Sequence, residues 1–108
     1  MGRIFIGKGT GAELKSDWER EDDKRIMKLF RGRCVVCMRP AEVVHEIVTR
    51  ARSKNATTMK NNRVPLCIYH HTGEGGVHFN GYTGDKEALL RNCAIELLIR
   101  FDVSLDNW

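Results

Sequence analysis

Cys34-Val35-Val36-Cys37, and then Cys67-Ile68-Tyr69-His70-His71 beginning thirty positions beyond Cys37, are the stretches whose reading decides the fold. Each holds two metal-ligating residue types separated by two others. That spacing lets one tight turn aim both side chains at a single ion, and zinc favours four sulfur and nitrogen ligands in a tetrahedron. Two such pairs in one short chain predict a zinc site made of Cys34, Cys37, Cys67 and His70. The alternative is buried free thiols plus a surface histidine. Cys93 competes for the fourth position, but it sits beside Ala94 and Ile95 in an apolar segment and reads as a small core residue. Four protein ligands leave no open position, so this zinc is expected to be structural and not itself hydrolytic.

A staple of this kind suits the size of the chain. Its 108 residues are enough for one domain, and a small domain often supplements a modest core with a metal. With 42% hydrophobic and 30% charged residues, a folded globular domain is expected. The formal net charge of +4 is compatible with a polyanionic partner. No apolar run approaches the ~20 residues of a membrane span, and Met1 to Ile6 lacks the apolar core of a secretory signal. A cytoplasmic, non-membrane protein is therefore expected, where four cysteines favour metal ligation over disulfides.

Outward from the cysteines, the flanks read as helices. Residues 1–16 look peripheral, with a short strand at Arg3-Ile4-Phe5-Ile6 and a turn at Gly7 to Gly11 that lacks phosphate-loop spacing. Residues 17–31 read as a helix capped by Ser16 or Asp17, with Trp18, Ile26, Leu29 and Phe30 on its apolar face and Gly32 as its stop. Between the cysteine pairs, residues 41–48 read as a strand, 49–61 as a basic, polar loop and 63–66 as a second strand. Residues 72–84 hold five of the ten glycines and read as loop. Residues 85–101 form a strong amphipathic helix with Leu89, Leu90, Ala94, Leu97, Leu98 and Phe101 on one stripe.

Three further histidines, His45, His71 and His78, crowd around this segment. The string Val44-His45-Glu46-Ile47-Val48, then Asn62-Arg63-Val64-Pro65-Leu66-Cys67, then His70-His71 resembles the HNH endonuclease family. Asn62 stands five residues before Cys67, where that family places its middle Asn, and His71 follows the second knuckle, where it places its last His. The resemblance covers about 45 residues.

The resemblance implies an α+β fold: a small ββα-metal core over residues 34–78, a structural zinc, and flanking N- and C-terminal helices. It implies DNA as partner and hydrolysis of phosphodiester bonds with one catalytic Mg2+ or Mn2+ ion. His45 and His71 would be ligands of that ion, with His78 joining them from the loop. Asn62 would brace the loop between the strands, since an amide both donates and accepts hydrogen bonds. The chain departs from the family pattern twice. Glu46 stands where the general base is usually a second histidine, and a carboxylate with an ordinary pKa of about 4.3 is a weak base near neutrality. Either Glu46 or His45 is then the base. The segment Thr72 to Val77 also lengthens the approach to His78.

Arg50, Arg52, Lys54, Lys60 and Arg63 are expected to contact DNA phosphates, which gives affinity without reading sequence. The competing reading is a catalytically silent, zinc-stabilised nucleic-acid-binding module. The family resemblance is shared by phage packaging, homing, restriction and recombination nucleases, and is compatible with a homodimer or with phage or restriction partner proteins.

Overall fold

Ser16 opens the first helix through a reciprocal cap, in which its hydroxyl accepts from the Glu19 amide at 3.1 Å and its own amide donates to Glu19 Oε1 at 3.0 Å. This Ser-x-x-Glu box satisfies amides that the first turn would otherwise leave unpaired. The computed structural model describes residues 16–108, so the expected strand at Arg3–Ile6 and the glycine turn after it lie outside the described residues. Helix α1 runs Asp17–Leu29. It ends two residues sooner than the sequence suggested, because Arg31 turns left-handed with φ 57°. The Gly32 amide then reaches back to the Met27 carbonyl at 2.7 Å, closing the helix in a Schellman arrangement.

Strands β1 (Val43–Glu46) and β2 (Arg63–Leu66) pair antiparallel, with His45 opposite Val64 and Glu46 opposite Arg63. The first strand is shorter than the expected 41–48. Its continuation is taken over by Asn62: the Ile47 amide donates to the Asn62 carbonyl, and the Val48 amide to Asn62 Oδ1 at 2.8 Å. Cys67 caps a single helical turn, α2 (Ile68–His71), and a loop leads to α3 (Gly84–Arg100) and a closing 3-10 turn, Leu105–Asn107. The described residues thus form a small α+β fold with a two-stranded sheet and three α-helices. No helix among them is long and apolar enough to cross a membrane.

All four β2 residues are buried, whereas β1 is mostly half-buried. The core gathers Ile26 of α1 and Phe30 at its C-terminal cap, Val64 and Leu66 of β2, Leu90, Ala94 and Leu98 of α3, and Trp108. Trp108 meets Phe30 edge-on and donates its indole N–H to the Arg63 carbonyl at 2.8 Å, which ties the chain's end to the sheet. Side chains alternate across a strand, so the two faces of the hairpin differ in kind. One presents Glu46 and Arg63 to the acids of α1, and the other presents His45 toward α2 and the loop after it.

Candidate metal centres

The first centre is the set Cys34, Cys37, Cys67 and His70, whose ligand atoms all lie within 4.8 Å of one another. Cys37 Sγ and Cys67 Sγ stand 3.7 Å apart, and Cys67 Sγ lies 3.3 Å from His70 Nδ1. A disulfide would need about 2.05 Å. A tetrahedron of sulfurs about 2.3 Å from its centre has edges of about 3.75 Å, so the sulfur pair already has the spacing of zinc ligands. The turn carrying Cys34 and Cys37 is closed by the Arg33–Pro40 bridge and by the Cys34 amide donating to the Arg39 carbonyl at 2.8 Å. Burial pushes the Cys34 thiol up to about 11, so it holds its proton until a cation takes its place. This Cys3His cluster can hold a structural metal such as zinc. Cys93 lies outside it, half-buried on α3.

The second centre is His45, His71 and His78, again with ligand atoms within 4.8 Å of one another. The imidazole centroids are 5.3 Å apart for His45–His71, 5.1 Å for His45–His78 and 4.7 Å for His71–His78. His45 Nε2 is buried without a hydrogen-bond partner. Burial, then the nearby charges of His71 and His78, push the His45 pKa down to about 3, and the same kind of causes lower that of His71. Neutral imidazoles with an orphaned nitrogen are the form in which histidine binds a cation. Among the described residues no carboxylate joins the three.

Each histidine is delivered differently. His45 comes from β1. His71 follows His70 on α2, and successive helical residues point about 100° apart, so one turn serves both centres. His78 arrives on the lengthened loop, whose backbone folds back over α2: Val77 N–H donates to the His70 carbonyl at 2.9 Å and His78 N–H to the His71 carbonyl at 3.2 Å. Gly76 permits this approach, because a Cβ there would sit 2.7 Å from the His71 carbonyl carbon and oxygen. Replacing Gly76 with Ala should therefore push the loop outward. The first centre should keep its zinc, while affinity for a second ion falls about tenfold or more by calorimetric titration. Tyr82 completes the cluster and was missed in the sequence. It donates its hydroxyl to the Ile47 carbonyl and sets its ring 5.0 Å from His45 and 5.4 Å from His78. An aromatic residue inside a glycine-rich loop was the available signal.

Glu46 is not brought to the histidines. It occupies the other face of β1, with Oε2 3.2 Å from Arg63 Nη2 and Oε1 3.7 Å from Arg50 Nε. Asn62, 1% exposed, ties the inter-strand loop by donating to the Val48 and Ala56 carbonyls, both at 3.0 Å.

Of the cations expected at phosphates, Arg63 is the one that the fold buries. Arg63 is buried, its side chain 5% exposed, and faces Asp23 at 2.5 Å, Glu46 at 3.2 Å, Asp22 at 3.4 Å and Glu19 at 3.6 Å. A buried guanidinium needs such partners and cannot leave them for a phosphate without exposing unpaired charge. Arg50 pairs with Glu19 and Glu46, and Arg52 with Glu87 at 2.6 Å. All four cations of the inter-strand loop are exposed, and Lys54 and Lys60 make no ion pair among the described residues.

Compared with protein-family models, with curated proteins and with solved structures, the chain matches none.

Proposed function

We propose that the chain is a metal-dependent DNA endonuclease of the HNH type, with zinc in the cysteine-rich centre and a second divalent ion at His45, His71 and His78. The convergence of three histidines around an unpartnered, buried His45 Nε2 carries this reading. The order β1, loop, β2, α2, with the histidines on the first strand and on the helical turn, supports it. A divalent ion there would shield the phosphate charge and ease departure of the leaving oxygen.

The chain's own residues do the positioning. His45 and His71 are held by the hairpin and by α2, so their nitrogens face each other before any ligand arrives. Asn62 fixes the loop between the strands through Val48 and Ala56. Tyr82 walls one side of the cluster with an apolar ring and limits the entry of water. Three nitrogen donors and no carboxylate favour first-row transition ions over Mg2+, which prefers oxygen ligands. Plasmid DNA incubated with Mg2+, Mn2+, Co2+, Ni2+ or Zn2+, each alone, tests the reading. Nicking or linearisation is expected with at least one transition ion and weakly or not at all with Mg2+. Plasmid left supercoiled under every ion would overturn it.

Glu46 is the informative residue for proton transfer. If its carboxylate accepts the proton of the attacking water, Glu46→Gln should lower the cleavage rate by about 10²–10⁴-fold with its shape unchanged. A rate near wild type would leave Glu46 as a partner of Arg63 and assign the base to a histidine. The engagement of Glu46 with Arg63 and Arg50 is also the observation that favours a silent DNA-binding module. That module would bind the plasmid and leave it uncut.

A further inference from the structure

Arg63 is buried among carboxylates of the same chain and Arg50 and Arg52 pair with Glu19 and Glu87, whereas Lys54 and Lys60 of the inter-strand loop and two arginines on the first knuckle are exposed. Arg33 and Arg39 are both exposed, and neither makes an ion pair among the described residues. They flank the first knuckle. The Arg33–Pro40 bridge closes its base, and the amides of Cys34 and Met38 lock it by donating to the Arg39 and Cys34 carbonyls at 2.8 and 2.9 Å. Glu42, an acid close by in sequence, is already occupied as acceptor for the Ile68 amide at 2.9 Å.

The knuckle is also joined to the histidine cluster by a short series of contacts. Cys37 Sγ meets Cys67 Sγ, Cys67 Sγ meets His70 Nδ1, and His71 is the next residue. Guanidinium groups bind phosphate oxygens through two parallel N–H donors, and a turn already closed by its backbone loses little freedom on binding.

We propose that Arg33 and Arg39 form a phosphate-binding arm on the first knuckle, which lays the DNA backbone along the knuckle toward the histidine cluster. This rests on the reading of DNA as partner. The arm adds a backbone contact on the metal-stapled turn to those that Lys54 and Lys60 would make from the loop between the strands. It also gives the cysteine-rich centre a second use, because the metal that folds the turn would fix where its arginines point.

The test is the salt dependence of binding to a short labelled DNA duplex of mixed sequence. The full chain carries His71→Ala, so that the duplex is not cut. Arg33→Gln with Arg39→Gln should weaken binding and make the slope of log affinity against log salt shallower by about 1.8 units, about 0.9 for each phosphate that is no longer neutralised. Each single substitution should contribute about half of this. Arg50→Gln with Arg52→Gln should leave the slope within about half a unit of the parent. Zinc content and circular dichroism identify any variant that has lost its fold. A parent that binds while the Arg33/Arg39 variant keeps its slope overturns the arm alone. A parent that does not bind the duplex overturns the DNA reading, and the arm with it.

Discussion

His71→Ala should abolish DNA cleavage, a loss of at least about 10³-fold, while the folded protein and its zinc remain. The histidine is half-exposed, and neither of its ring nitrogens makes a hydrogen bond among the described residues, so deleting the ring leaves no buried polar group unpaired. Its backbone stays in place because the His71 amide donates to the Cys67 carbonyl at 3.0 Å and its carbonyl accepts from His78. What disappears is one of three donors around the cluster, and a site with two is open and weak. Zinc analysis should still find about one ion per chain, and the denaturant midpoint should stay close to wild type. His45→Ala should lose cleavage equally but cost more stability, since His45 is 5% exposed and packs against Tyr82. Cleavage by His71→Ala at the wild-type rate would remove the histidine cluster from the chemistry.

The second large effect is on folding. Cys67→Ala should leave a chain that no longer unfolds cooperatively. Cys67 joins β2 to α2, caps that turn and faces both Cys37 and His70. A structural zinc contributes about 10–16 kcal/mol of apparent binding energy in small zinc domains, as much as or more than the whole stability of an ordinary domain, about 5–15 kcal/mol. Cys93→Ala, by contrast, trims a half-buried side chain on α3 and should keep both the metal and the transition. Metal analysis with thermal melts separates the two variants. A Cys67→Ala chain that melts like wild type would mean that the cysteine cluster is not what holds the fold.

Local chemistry was legible in the sequence wherever neighbours in the chain decide it. The helix start at Ser16 or Asp17, the span of β2 and the paired spacing of Cys34 with Cys37 and of Cys67 with His70 follow from neighbouring residues, and the structure places the cap on Ser16. The convergence of His45, His71 and His78 was legible only through the family pattern, since nothing in their spacing says that a glycine loop folds back over α2. Charge pairing was not legible. Arg63 meets Asp22 and Asp23 from forty or so residues away, and Arg52 meets Glu87 across thirty-five. A run of cations looks the same in sequence whether it faces solvent or its own helix. The separation of His45 from Glu46 was legible from the strand reading, because adjacent strand residues point to opposite faces.

His70 and His71 are consecutive, yet each belongs to a different cluster, and both hang from one helical turn fixed at its start by Cys67. Emptying the histidine cluster leaves that turn in place. Loss of a metal from the cysteine cluster would free the turn and with it His71. The dependence runs one way, like an interlock: the chain can be folded and idle, but it cannot be armed while unfolded. On the proposed reading, loss of the structural zinc would end cleavage by freeing the turn that carries His71.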